Sequence, residues 1–185
     1  MGADKALLEI AGETLLERTV RVLRTHVDEV VVVGPNRAIT DLDATVVPDE
    51  HPGFGPLAGL ITGLSSMSSD KAFATGCDMP HLSAHAIKYL LTVERPGAEA
   101  IVPVIRGIAQ PLHAVYARRV LPKLRAELAQ GGRSLTSALR RLDVAWVTEE
   151  CFRQLCSGLQ SFVSVNTPEE WQRMGCGTQG AQADA

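Results

Sequence analysis

The sequence predicts an α/β fold built on a largely parallel sheet. Short apolar, β-branched runs such as Glu29–Val33, Ala72–Thr75 and Ala100–Ile105 alternate with stretches of helical period, the pattern of strand–helix–strand crossovers. The early runs end in turn residues, Gly34-Pro35-Asn36 and Pro48-Asp49-Glu50, where a buried strand hands over to a loop. Neither an internal repeat nor a linker divides the chain. Residues 1–174 therefore read as one domain, and 175–185 as a disordered tail rich in Gly, Gln and Ala.

The elements follow in order. Lys5–Ile10 is short and mixed. Leu15, Leu16, Thr19, Val20, Leu23 and Val27 share one face of a helix over Glu13–Val27. Strands are expected at Glu29–Val33 and Ala44–Val47, then a Gly/Pro-rich loop at His51–Pro56. A helix over Leu57–Met67 carries Ala58, Gly59 and Gly63, which permit close backbone approach. After the strand Ala72–Thr75, Ser83 suits the N-cap of a helix to about Glu94. Ala100–Ile105 and Leu112–Tyr116 read as strands, and Gly131-Gly132 stops the helix that follows. Ser134 caps a short helix to Leu142. Val144–Val147 and Phe162–Val165 read as late strands, and Thr167 with Pro168 opens a last helix.

Size and charge narrow the function. A chain of 185 residues can bury a core without staples. Aromatics make up only 4 %, so Leu, Val, Ile and Ala must do the packing. The net charge of −3 argues against nucleic acid held by bulk electrostatics, while small anionic substrates stay open. No apolar run approaches the ~18 residues of a membrane-spanning helix, and no secretory pattern opens the chain; the expected location is the cytoplasm. Cys77, Cys151, Cys156 and Cys176 lack a C-x-x-C spacing and read as free thiols in a reducing compartment.

Candidate chemistry gathers at strand ends, where ligands bind open α/β sheets. Asp78, in Cys77-Asp78-Met79-Pro80, follows a buried strand. A lone carboxylate there suits Mg2+, which takes one or two protein carboxylates plus phosphate oxygens; a turn Asp before proline is an equal reading. Gly55-Pro56-Leu57 leads into a helix whose amides can hold an anion or a base carbonyl, or simply make a tight turn. Lys5 can neutralise phosphate charge or sit solvated at the surface. Asn36 and Asp49 end strands on the presumed ligand edge. A carboxylate there can accept from a guanine edge or a ribose, or shape a turn. Asn166 can join Asp78 on a metal or shape its own turn, and Arg133 can reach a phosphate or remain a surface charge. His81 and His85, four residues apart without a Glu beside the first, do not make a protease-type zinc site.

Taken in order, five segments resemble the molybdenum cofactor guanylyltransferases: Met1-Gly2-Ala3-Asp4-Lys5-Ala6-Leu7, Gly55-Pro56-Leu57-Ala58-Gly59, Cys77-Asp78-Met79-Pro80, Gln110-Pro111-Leu112 and Asn166-Thr167-Pro168-Glu169. The resemblance implies a Rossmann-like three-layer sandwich of the nucleotide-diphospho-sugar transferase type. It implies transfer of GMP from GTP to molybdopterin, with Mg2+ as cofactor and acceptor molybdoenzymes or their chaperones as partners. Lys5 and Asp78 would be catalytic. Lys5, Asn36, Asp49, Asp78, Gly55, Pro56 and Leu57 would contact the nucleotide, and Asp78 and Asn166 the metal. The family's first strand and most of its Gly-rich phosphate loop precede the matching methionine. The chain as written is therefore expected to lack that strand, to leave its two neighbours unpaired, and to transfer GMP weakly or not at all. A cytidylyltransferase on the same pterin or another small-molecule nucleotidyltransferase, and a non-catalytic nucleotide-binding protein, are the alternatives.

Overall fold

A computed structural model describes residues 9–10, 12–34, 42–155 and 159–164. Its elements, in chain order, begin with a small hairpin of β1 (Glu9–Ile10) and β2 (Glu13–Thr14), then α1 (Leu15–Arg24), β3 (Val31–Val33), β4 (Thr45–Val47), α2 (Pro56–Ser66) and β5 (Lys71–Thr75). There follow α3 (Ala84–Thr92), β6 (Ala100–Ile105), β7 (Ile108–Ala109), β8 (His113–Ala117), α4 (Leu121–Ala129), α5 (Leu135–Leu139), β9 (Val144–Thr148) and α6 (Glu150–Arg153).

The helices begin where local chemistry satisfies their first amides. Thr14 and Glu17 close a capping box on α1: the Glu17 amide donates to Thr14 Oγ1 at 3.2 Å and the Thr14 amide donates to Glu17 Oε2 at 2.7 Å. Ser83 caps α3 and Ser134 caps α5 through their hydroxyls. Pro56 opens α2 at a position whose amide has no helical acceptor in any case.

Alternation along the strands produces three layers. Ala100 and Val102 of β6 pack with Leu57, Ile61 and Leu64 of α2, Leu124 of α4 and Leu139 of α5. Ile101 and Ile105 of the same strand pack on the other face with Ala86 and Leu90 of α3 and Phe152 of α6. Successive residues of a strand face opposite ways, so a strand apolar at every position is buried on both sides. β3 repeats this: Val31 joins the α2 side, while Val30 and Val32 lie with Leu16 and Val20 of α1. The α/β layered class expected from the sequence is the observed one.

The sheet itself is mixed. β3 pairs with β4 in parallel, and β6 with β9 in parallel. β8 runs antiparallel between β5 and β6, with Thr75 opposite His113 and Ala100 opposite Tyr116. β8 departs from the parallel pairing of its neighbour β6 with β9, and the reason is length. A parallel crossover needs a dozen or more residues, whereas β6 and β8 are joined through a tight turn at Arg106-Gly107, both at positive φ (50° and 77°). β7 and β8 form one returning strand interrupted at Pro111, which has no amide to give the ladder. Two further differences are local. Gln160–Phe162 is a 3-10 turn rather than the opening of a strand, and α5 ends at Leu139.

Among the described residues, β3 pairs only with β4, and β5 only with β8, so the main sheet and the β3–β4 pair are separate. Their amino ends adjoin: Ser68, before β5, donates from its amide and hydroxyl to the Glu29 carboxylate, before β3, at 3.0 and 2.9 Å. No described helix is long and apolar enough to cross a membrane.

Candidate active site

Three loops carry the candidate residues, and each leaves a strand or enters a helix. The first follows β4. Asp49 Oδ1 accepts from the His51 amide at 2.9 Å, the short side-chain-to-backbone turn that Asp favours. The same oxygen accepts from the Thr62 hydroxyl of α2 at 3.3 Å, and Thr62 Oγ1 in turn accepts from the Glu50 amide at 3.2 Å. Asp49 Oδ2 has no hydrogen bond among the described residues.

The second loop enters α2. Gly55 takes φ 77° and ψ −167°, a conformation open to glycine, and no side chain caps the helix. Leu57 is fully buried and anchors the core rather than the loop surface. The turn after α4 packs against this loop. The Arg133 guanidinium lies 5.0 Å above the Phe54 ring, a cation–π contact. A Cβ added at Gly55 would meet the Arg133 carbonyl oxygen at 3.4 Å. The structure thus brings Gly55–Leu57 together with Arg133.

The third loop leaves β5 and carries Asp78. Asp78 is half-buried and its carboxylate folds back over Gly76: a Cβ on that glycine would overlap Asp78 Oδ1 and come within 3.5 Å of its Cγ. No ion pair or hydrogen bond to Asp78 is found among the described residues. The floor of this loop is built from the opposite strand. His113, completely buried, sets Nδ1 3.4 Å from Met79 Sδ and Nε2 3.4 Å from Ser161 Oγ. The Ser161 hydroxyl oxygen accepts from the Ser83 amide at 2.9 Å. Ser161 Oγ and His113 Nε2 thus share a hydrogen bond whose direction follows the imidazole tautomer. Phe73 and Phe162 flank the ring at 5.1 and 4.4 Å. Burial pushes the imidazole pKa down to about 3, so it is uncharged at neutral pH. From α1, Arg18 Nε donates to the Pro80 carbonyl at 2.9 Å.

Of the residues singled out in the sequence, Asp49, Gly55 and Asp78 are placed in these loops, and Pro56 and Leu57 in the first turn of α2. Lys5, Asn36 and Asn166 lie outside the described residues, as do Cys156 and Cys176. Cys77 and Cys151 are not in a disulfide. No cluster of three or more His, Cys, Asp or Glu side chains suited to a metal occurs among the described residues. The donor set still fits a hard divalent cation in its Mg2+ form. Asp78 supplies one carboxylate that has no ion pair among the described residues, and such ions draw their remaining ligands from water and phosphate. Two surface cavities, of about 430 and 560 Å3, lie elsewhere, at the carboxyl end of α1 and along β9. Thr62, Gly76, His113 and Ser161 were not singled out in the sequence.

A three-layer α/β sandwich that sets carboxylates just past its strand ends is the frame of a nucleotide-handling protein. Comparison makes this specific. The model of the MobA-like NTP transferase domain matches residues 1–146, and the chain belongs to that family. A probable molybdenum cofactor guanylyltransferase of Bacillus mycoides is 32 % identical over 176 residues, covering 92 % of this chain and 86 % of the relative. One from Natranaerobius thermophilus is 30 % identical over 179 residues, covering 94 % and 87 %. Among solved structures, molybdopterin-guanine dinucleotide biosynthesis protein A from Archaeoglobus fulgidus superposes with a TM-score of 0.80 at 25 % identity, covering 93 % of this chain and 89 % of that one. The fold extends to 2-C-methyl-D-erythritol 4-phosphate cytidylyltransferase from Thermus thermophilus, with a TM-score of 0.71 at 17 % identity, covering 93 % and 92 %.

Proposed function

We propose that the protein transfers GMP from GTP to molybdopterin, yielding the guanine dinucleotide form of the molybdenum cofactor and pyrophosphate. The observation that carries this reading is the carboxylate of the half-buried Asp78 past the end of β5, without an ion pair among the described residues, in a family whose relatives are named for that reaction. A terminal phosphate oxygen of the pterin attacks the α-phosphorus of GTP. A new P–O bond forms as the bond to the β-phosphate oxygen breaks, and pyrophosphate leaves with the electron pair. The attacking phosphate is already anionic, so Asp78 is a ligand rather than a base. Asp78, with Asn166, would hold Mg2+, which when bound offsets the charge of the phosphates.

The remaining residues position the reactants. Lys5 neutralises phosphate charge, Asp49 and Asn36 meet the guanosine, and the Gly55-Pro56-Leu57 backbone lies against the nucleotide. Acceptor molybdoenzymes or their chaperones would receive the product. The test is Asp78→Ala in an assay of pyrophosphate release with GTP, CTP and ATP offered separately. GTP-selective, Mg2+-dependent turnover or, where the parent turns over too slowly to follow, Mg2+-dependent GTP binding, lost in the variant, is the expected result. Turnover near the parent value in Asp78→Ala would remove this carboxylate from the reaction.

A further inference from the structure

The geometry points to Thr62 as a positioning residue that orients Asp49 and so sets the selectivity for a purine that offers an exocyclic amine beside its N1–H. It rests on Asp49 as the carboxylate that meets the base. Thr62 lies in the body of α2 and is 1 % exposed, a place where valine would pack equally well. A buried hydroxyl needs partners. In a helix it usually finds one by donating to the carbonyl of the preceding turn. Ser65 and Ser66 of the same helix do so, to Ile61 at 2.7 Å and Thr62 at 2.9 Å. Thr62 does not. Its hydroxyl leaves the helix, donates to Asp49 Oδ1 and accepts from the Glu50 amide.

The consequence falls on the carboxylate. Oδ1 is occupied twice, by the Thr62 hydroxyl and the His51 amide. Rotation of the carboxylate about its χ2 is thereby opposed, and Oδ2 is left as the open acceptor. A single oriented acceptor distinguishes bases by their donors. Guanine offers N1–H and the exocyclic amine, hypoxanthine only N1–H, and cytosine and adenine present different edges. Losing the tether would not remove the acceptor; it would let it turn.

The test compares Thr62→Val, which keeps the packing and loses the hydroxyl, with Thr62→Ser, which keeps the hydroxyl and loses a methyl. Asp49→Asn is measured beside them. Calorimetric titration with GTP and with inosine triphosphate, both with Mg2+, reads binding without requiring turnover. The parent should favour GTP, and Asp49→Asn should erase that preference. Thr62→Val should weaken GTP about tenfold, the worth of one hydrogen bond to a charged group, and compress the GTP-to-inosine ratio. Thr62→Ser should bind as the parent does. Should Thr62→Val fail to fold by circular dichroism, Thr62→Ala serves, with the same expectation. Parent-like binding by Thr62→Val with binding impaired in Asp49→Asn overturns the role of Thr62 alone. So does a loss in Thr62→Ser matching that in Thr62→Val, which marks a packing role. Parent-like binding in Asp49→Asn, or no binding by the parent, overturns the reading of Asp49 on which this one rests.

Discussion

Gly76→Ala tests the placement of Asp78 without touching the carboxylate. The added methyl would overlap Asp78 Oδ1 and lie 3.5 Å from its Cγ. A comfortable carbon–oxygen contact is about 3.3 Å, so the carboxylate must swing aside by about 1 Å. Displacement of that size at a reacting centre costs on the order of 10²-fold in rate. The fold should not suffer. Gly76 is absent from the glycines at positive φ, so alanine can adopt its backbone. The nearest obstruction is the end of a side chain, with the Asp78 amide nitrogen at 3.9 Å. Restricting the unfolded chain stabilises by about 0.5 kcal/mol, a rise in Tm of roughly 1–2 °C at this size. The assay is pyrophosphate release across an Mg2+ titration, or Mg2+-dependent GTP binding where turnover is too slow to follow, with melting recorded in parallel. Expected is a protein at least as stable as the parent and crippled in function. Activity within twofold of the parent would refute the placement. A Tm lower by several degrees would show that the methyl strikes the backbone instead.

Two further outcomes concern stability. Unfolded, His113 titrates near 6.5; folded, burial holds it down to about 3. Between those values the unfolded chain takes up a proton that the folded chain refuses, so stability is lost as pH falls below 6.5 and unaffected above about 7. The slope is about 1.4 kcal/mol per pH unit, or about 2 kcal/mol between pH 6.5 and 5. His113→Phe, packed between Phe73 and Phe162, should flatten that acid limb in melts at pH 5 and 7.5; an unchanged limb would refute the assignment. Gly132→Ala should destabilise. Its Cβ would sit 2.8 Å from the Glu127 carbonyl oxygen and 2.7 Å from Glu127 Cγ, where the Gly132 amide donates to that carbonyl at 2.9 Å. Opening this turn costs about 2 kcal/mol, or roughly 6 °C in Tm, and an unshifted melt would sink the estimate.

The layered fold was legible because its signals are local. Ser83 and Ser134 announce helix starts, and β6 is apolar at every position because both its faces are covered. The direction of β8 is a longer-range property. It was nonetheless written in spacing, since the segment between Ile105 and His113 cannot hold a crossover helix, and Gly107 marks a turn. Alternation of strand and helix elsewhere in the chain overshadowed that count. The β1–β2 hairpin and α6 are too short, at two residues per strand and four in the helix, to leave a periodic trace.

The candidate site divides along the same physical line. Asp49 and Asp78 stand out in the sequence because a carboxylate just past an apolar run is a local pattern. The groups that hold those loops in shape do not. Thr62 looks like any β-branched residue on a helix face, and only the direction of its hydroxyl, away from its own helix, separates it from valine. His113 opens a strand buried at each of its first four positions, and its meaning depends on Ser161, 48 residues on, and on Met79, 34 residues back. Each is a buried polar group whose partners come from other elements. A polar atom taken out of water must be satisfied or costs about 1–3 kcal/mol. A buried Thr or His in a segment whose pattern demands an apolar residue is therefore a claim about an unseen partner. On a strand or helix bordering a strand-end loop, that partner belongs to the loop, which is where Asp49 and Met79 are found.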